Sequence, residues 1–278
     1  MESPVDIQDL EIRLLLETML HRYGYDFRNY THASLKRRLL QCLAVCNITH
    51  ISEAIPKIIH DRAFLDQLIY AMSVTVTECF RDPPFYRLLR ERVIPLLATY
   101  PFINIWHAGC ATGEEVYSMA ILLQEEGLYN RVRIFATDIN GKSLHQAKEG
   151  IYTIQNMEEY AQNYQESGGK ASLPNYYHSK YDLARMHSSL KENIIFAAHN
   201  LATDNVFSET HLVMCRNVLI YFDQTLKNRA LRLFDESLVH GGFLCLGTKE
   251  SLSFSEISDR FTPVSQDLRI FQKKRGIR

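Results

Sequence analysis

At 278 residues, 46% hydrophobic and 23% charged, the chain is long enough to bury one full α/β core and a small extra domain, which marks it as soluble and globular. A formal net charge of -1 supplies no global attraction to nucleic acid or to a membrane surface, so electrostatic recognition must come from a local patch. There is no apolar run of about 18 residues, and the opening MESPVDIQDLEIR has no basic leader followed by an apolar stretch. No direct membrane insertion and a cytoplasmic location are expected.

Residues 9 to 70 carry helical periodicity: Leu10, Leu14, Leu15 and Met19, then Leu35, Leu39 and Leu43, then Ile55, Ile58 and Ile59, then Phe64, Leu65, Leu68 and Ile69. This predicts a small helical domain, with Gly24 and the polar run 47 to 52 as internal turns and Thr31 as a helix cap. Within it Arg22, Arg28, Lys36, Arg37 and Arg38 face a single acid in the same stretch, Asp26. Charge alone reads this cluster as either a docking patch or an ordinary solvated helix face. Six scattered cysteines, Cys42, Cys46, Cys79, Cys110, Cys215 and Cys245, form no C-x-x-C pair. Cys42 and Cys46 are one helical turn apart, and plain packing explains them better than a metal pair, so no metal is expected.

The junction segment Thr75-Val76-Thr77-Glu78-Cys79-Phe80-Arg81-Asp82 leads out of the helical part, and a boundary at 80/81 divides an N-terminal helical domain (1–80) from the remainder (81–278). Arg81 is either a surface salt-bridge partner of Asp82 or Glu78, or a fixed cation facing a pocket. From Pro101 strands and helices alternate: strand 102–108, helix 113–126, strand 132–138, helix 142–149, strands 193–198 and 211–215, helix 224–239, strand 242–247, and two short strands near 261–265 and 268–273. The fold class is α/β, a doubly wound and mainly parallel sheet. The Tyr-, Asn- and Gln-rich interval 151–192 interrupts this rhythm and reads as an inserted subdomain.

The strand-turn-helix FINIWHAGCATGEEVYSM, 102 to 119, is the strongest ligand signal. Ala108, Gly109, Ala111 and Gly113 let backbone approach closely, but Glu114 and Glu115 stand where a phosphate-binding turn leaves room for an anion. Carboxylates there favour a cationic ligand, or simply stabilise the first helical turn. Spacing does not say which of the two faces a pocket. Asp138, ending the second strand, suits a ribose hydroxyl, or a helix cap before Ile139-Asn140-Gly141. A cofactor with ribose and adenine but no phosphate, S-adenosylmethionine, fits this set better than NAD does. Arg216, Asn217 and Tyr221 in CRNVLIYFD, and His199-Asn200-Leu201, lie past later strands at the carboxyl edge of the sheet, where open α/β folds bind ligands.

In this order, T-x-T-E-x-F-R, A-G-C-x-T-G-E-E-x-Y-S, A-T-D-I, H-N-L and C-R-N-V-L-I-Y-F-D resemble the CheR family of chemotaxis receptor (protein-glutamate) O-methyltransferases, over nearly the whole chain. The late segment Leu246-Gly247-Thr248-Lys249-Glu250-Ser251-Leu252 shares in the resemblance. It implies an enzyme of the S-adenosylmethionine-dependent methyltransferase fold that transfers a methyl group to receptor glutamates, giving methyl esters and S-adenosylhomocysteine. It further implies cofactor contacts from Thr75, Thr77, Arg81, the Glu114-Glu115 pair, Asp138, Asn200, Leu201, Arg216 and Asn217, with Arg81 and Tyr221 nearest the transferred methyl. The 21–38 basic cluster becomes a docking site for the acidic helical bundle of a receptor, and the 151–192 insertion corresponds to a subdomain that grips a receptor-tail peptide in some members. The chain departs from the family in carrying Thr75 for Asn, Cys79 for Phe and Val116 for Pro. No nucleic-acid partner is implied, and a monomer is expected.

A glutamate is already ionised at neutral pH, so methyl transfer needs alignment and exclusion of water more than a base. Burial raises a carboxylate's pKa, and Arg81 is the cation placed to counter that, with the Tyr221 hydroxyl orienting the acceptor oxygen. Two other readings compete: a non-catalytic S-adenosylmethionine-binding signalling module that docks onto a partner, which Thr75 favours, and an NAD-linked oxidoreductase using His107 and His199, which the acidic turn disfavours.

Overall fold

The computed structural model describes residues 6–253 and 255–275, which fall into two compact units. The first comprises the chain up to Val74 together with Asn200–Asn205 and Tyr221–Ala230; the second comprises Thr75–His199, Val206–Ile220 and the chain from Leu231.

In the first unit, α1 (Ile7–Tyr23) starts at Asp6, whose carboxylate accepts from Gln8 N, and ends at Gly24, which takes a left-handed conformation with φ 78°. Helices α2 (His32–Val45), α3 (Ala54–His60) and α4 (Arg62–Met72) follow. Asp61 caps α4 by accepting from Ala63 N and Phe64 N, whereas Thr31, at the cap position of α2, makes no side-chain cap bond. Leu15, Met19, Leu39, Ile58, Leu65 and Leu68, each on the periodic face read from the sequence or beside it, are buried.

The second unit opens with α5 (Pro83–Leu88), continued through a π-turn, Leu89–Val93, into α6 (Ile94–Leu97). Then come β1 (Ile103–Ala108), α7 (Glu114–Glu125), β2 (Val132–Asp138), α8 (Gly141–Glu149), β3 (Ile151–Thr153), α9 (Met157–Glu166), β4 (Tyr177–Lys180), β5 (Leu183–Met186), β6 (Ile194–Ala198) and β7 (Thr210–Cys215). Helix α10 (Gln224–Ser237), β8 (Leu238–Leu246), β9 (Phe261–Ser265) and β10 (Ile270–Lys273) complete the chain. The main sheet runs β6-β2-β1-β7-β8-β10-β9, parallel from β6 to β8, with β10 antiparallel to both β8 and β9. The order reverses at β1, so the carboxyl ends of β1 and its two neighbours form the crevice in which open α/β sheets bind ligands. Helix α9 and a separate antiparallel sheet, β3-β5-β4, occupy the insertion.

Strand β8 starts four residues earlier than the glycine pair Gly241-Gly242 suggests, at Leu238 instead of 242. Its pairing with β7 shifts register between Thr210 and Leu212, and Gly241 has φ 83°. The glycines mark a bulge inside a strand and not the turn before it. No helix among the described residues is long and apolar enough to cross a membrane.

Candidate active site

The turn after β1 is built on backbone geometry that few residues tolerate. Gly109 has φ 78° and a Cβ there would lie 2.5 Å from Val218 Cγ2; Gly113 has φ 94° and a Cβ would lie 2.9 Å from Ala147 Cβ. Ala111 between them has φ 47° and lacks glycine's freedom. What holds it is Asp138, whose Oδ2 accepts from Ala111 N at 2.9 Å and whose Oδ1 accepts from Asn140 N at 2.8 Å. Burial nevertheless raises the Asp138 pKa above the ordinary carboxylate value. Asn140, not Asp138, caps α8, accepting from Lys142 N and Ser143 N. Asp138 is thereby excluded as the helix cap, and it keeps unused lone pairs at the sheet edge.

The two glutamates part company. Glu114 is buried and its Oε2 accepts from the Thr112 hydroxyl at 2.6 Å; burial pushes its pKa up to about 7. Glu115 keeps 16% side-chain exposure and is gripped from two sides, Oε1 by His107 Nδ1 at 3.1 Å and Oε2 by Arg216 Nη1 at 3.0 Å. Burial works against its charge, but the His107 hydrogen bond and the Arg216 charge outweigh it and hold its pKa below the ordinary value. One glutamate is a packed carboxyl near half-ionisation at neutral pH, and the other a fixed anion.

Because the folded-state pKa of Glu114 lies above its unfolded value of 4.5, its contribution to stability is complete below pH 4.5 and is lost as pH rises towards 7. The loss is about 3 kcal/mol by linkage. Glu114→Gln, which keeps an acceptor for Thr112, is expected to raise the urea midpoint clearly at pH 8 and far less at pH 5. An equal change at both pH values would contradict this.

Arg216, at the end of β7, is buried. Besides Glu115 it donates from Nη2 to Asp82 Oδ2 at 2.5 Å, reaches the Arg81 carbonyl at 3.3 and 3.4 Å, and lies with Cζ 4.1 Å from the Phe85 ring centroid. The Arg81 backbone is pinned in turn: Phe80 and Asp82 on either side both have positive φ, 53° and 59°, and Phe80 N donates to the buried Ser118 Oγ at 2.8 Å. Among the described residues no carboxylate pairs with the Arg81 guanidinium. The salt bridge to Asp82 weighed above does not form, because Asp82 is taken by Arg216. Of the seven non-glycine residues with positive φ among the described residues, four, Phe80, Asp82, Ala111 and Asn217, belong to these segments, so backbone strain is concentrated there.

Sequence reasoning assigned no role to Glu250. Its buried carboxylate accepts from Asn217 N, Val218 N, Ile220 N and Gly247 N, which fixes the loop that presents Arg216 and Asn217. Burial still leaves its pKa raised. An acid three residues past a predicted strand was the available signal, but Asn217, Val218 and Ile220 lie 33, 32 and 30 residues away in sequence, so no local pattern reveals them. Thr75 and Thr77 are half-buried, with no side-chain hydrogen bond among the described residues.

In the first unit, Asn200 closes a turn, accepting from Ala202 N on Oδ1, while its buried Nδ2 has no partner among the described residues; Leu201 is buried beside it. Tyr221 also belongs to this unit, where Arg38 Cζ lies 4.8 Å from its ring centroid. The basic cluster is less free than its sequence neighbours imply. Arg28 pairs with Asp26 and Glu17, Lys36 with Asp6 and Asp9, and Arg38 donates to Met72 O. The count of one opposing acid is therefore corrected by Asp6, Asp9 and Glu17, which come from α1 and its cap. Arg22 and Arg37 remain exposed without a carboxylate partner among the described residues.

An ionised carboxylate and an acid with spare lone pairs at the strand end, beside a turn with no room for a side chain at Gly109 or Gly113, form an acceptor set suited to an amino-acid nucleoside and not to a pyrophosphate. Comparison with known proteins agrees. The profile of the CheR methyltransferase SAM-binding domain matches residues 75–270, and that of the CheR methyltransferase all-alpha domain matches residues 10–73. A Pseudomonas putida protein whose name assigns it as a methyltransferase, Cher3, is 54% identical over 95% of this chain and 97% of its own length. A chemotaxis protein methyltransferase of Listeria monocytogenes is 29% identical over 88% of this chain and 92% of its own. Among solved structures, the N-methyltransferase NodS of Bradyrhizobium japonicum in complex with S-adenosyl-L-homocysteine is 16% identical over 70% of this chain and 90% of that one, at a TM-score of 0.39.

Proposed function

The chain belongs to the CheR methyltransferase family, and from that premise we propose that this S-adenosylmethionine-dependent enzyme methylates glutamate side chains on the cytoplasmic helical bundle of chemotaxis-type receptors. The observation that carries the reading is Glu115: a carboxylate held ionised by His107 and Arg216 at the start of a helix that would otherwise attract phosphate. S-adenosylmethionine supplies, when bound, a sulfonium methyl whose C–S bond breaks as the C–O bond to the receptor glutamate forms, leaving S-adenosylhomocysteine and the methyl ester.

The chain's own residues then have distinct tasks. Glu115 pairs with the cofactor's ammonium group, and Glu114 packs the turn. Asp138 holds the turn through Ala111 N and offers its remaining lone pairs to the ribose. Arg216 acts through Glu115 by keeping it charged and aimed. Thr75, Thr77, Asn200, Leu201 and Asn217 complete the cofactor contacts. Arg81, a cation with no carboxylate partner among the described residues, keeps the incoming glutamate ionised as water leaves, and the Tyr221 hydroxyl orients the attacking oxygen. The chemotaxis methyltransferase relatives support the receptor as substrate.

The test is incubation with tritiated S-adenosylmethionine and receptor-enriched membranes. Base-labile label on a receptor-sized band is expected, since a glutamyl methyl ester hydrolyses in alkali, and base-stable label or none overturns the reading. Of the docking cluster, Arg22 and Arg37 have charge to offer a receptor. Arg37→Glu is expected to raise the KM for receptor several-fold and to flatten its dependence on salt, with kcat unchanged. An unaltered KM would assign Arg37 to a plain solvated face.

A further inference from the structure

Arg38 belongs by sequence to the basic docking cluster, but its guanidinium is turned inwards. In the first unit the backbone of the segment 221 to 223 lies along the loop that precedes α2: Thr31 N donates to Tyr221 O at 2.8 Å, and Asp223 N donates to Asn29 O at 2.8 Å. Tyr30 and Phe222 form an antiparallel bridge with their rings 5.0 Å apart. These contacts fix the main chain at Tyr221 and leave its ring free to turn about the side-chain bonds. Arg38 supplies the missing constraint. Its Cζ stands 4.8 Å from the Tyr221 ring centroid, and its Nη1 donates to Met72 O at 2.9 Å.

Met72 ends α4, so its carbonyl is one of the acceptors that a helix terminus leaves without an intrahelical partner. A guanidinium tied there cannot swing freely into solvent, and its plane attracts the negative face of an aromatic ring. The arrangement joins α2, the end of α4 and the Tyr221 segment through one half-buried side chain. A docking cation would present its charge outwards, as the exposed Arg37 does.

We propose that Arg38 is a positioning residue for Tyr221, holding the phenol ring in one orientation so that its hydroxyl is delivered to the reaction; this rests on the role given to Tyr221 above. The test measures methyl transfer from tritiated S-adenosylmethionine to receptor-enriched membranes by Arg38→Ala, Arg38→Lys, Tyr221→Phe and the Arg38→Ala/Tyr221→Phe double variant. Arg38→Ala is expected to lower kcat about tenfold, with KM for cofactor and receptor and the salt dependence unchanged. Arg38→Lys, which keeps a cation for the ring, recovers part of the loss. In the Tyr221→Phe background, removing Arg38 costs little more, because the hydroxyl it positions is gone. If Tyr221→Phe alone keeps full kcat, the role of Tyr221 falls and the inference with it. If Tyr221→Phe is impaired but the two losses multiply, or if Arg38→Ala raises the receptor KM in a salt-dependent way, Tyr221 keeps its role and Arg38 is a docking residue after all. Should Arg38→Ala fail to fold, Arg38→Gln takes its place in the cycle and the same outcomes decide.

Discussion

Arg81→Ala is expected to lower kcat for methyl transfer by about 10²- to 10³-fold, the usual loss when one preorganised charge partner is removed from a reacting oxygen. The backbone that carries it should not notice. Phe80 and Asp82 are held in their left-handed conformations by Ser118 and Arg216, and neither contact involves the Arg81 side chain. The thermal midpoint is therefore expected to stay at the wild-type value. Arg81→Lys keeps the charge without the planar fork and should fall between the two. Turnover by Arg81→Ala within a factor of about three of wild type would remove Arg81 from the chemistry, because a contact that matters in the transition state cannot be lost so cheaply.

Arg216→Met is expected to damage fold and activity together. The guanidinium is buried between Glu115 and Asp82, and taking away one member of a buried charge set typically costs about 3–5 kcal/mol, because the remaining charge is left unpaired. The pH dependence gives the sharper check. In the wild type the folded-state pKa of Glu115 lies below its unfolded value of 4.5, so its stabilisation is present above that pH and is lost as pH falls through the folded-state pKa. Burial is already the largest single influence on Glu115, outweighed by His107 and Arg216 together, so without Arg216 the folded-state pKa is expected to rise. The stabilisation from ionised Glu115 then shrinks and is lost at a higher pH. Urea midpoints measured from pH 4 to pH 8 should show this weakened and displaced dependence, and the double variant Arg216→Met/Glu115→Leu should abolish it. A variant with the wild-type slope would mean that Arg216 does not set the charge of Glu115.

Most of the α/β architecture was legible because burial on both faces writes it into the residue pattern. Strand β1 is apolar except for Asn104 and His107, its helix follows a glycine turn, and the same rhythm recurs at β2 and α8. The misjudged start of β8 shows where such a pattern ends: a glycine pair reads alike as a turn or as a bulge until the partner strand is present.

The chemistry divides differently. Residue types at the ends of β1, β2 and β7 point to a turn for a cationic, ribose-bearing ligand, and a sheet that reverses its order places those ends in one crevice. Distinguishing Glu114 from Glu115 required the tertiary structure, since they are adjacent in sequence and differ only in what surrounds them: a Thr112 hydroxyl for one, His107 and Arg216 for the other. The neutralised part of the basic cluster has the same explanation. Lys36 meets Asp9 across 27 residues, a pairing that depends on how α1 packs and not on neighbouring charges. The sequence by itself determined the fold class and the kinds of side chain available at the crevice, because hydrophobic periodicity and strand-end position are local properties. Which carboxylate is charged, which arginine is committed and what holds Tyr221 were decided only by the tertiary structure, because pKa and orientation depend on burial and on partners drawn from distant parts of the chain.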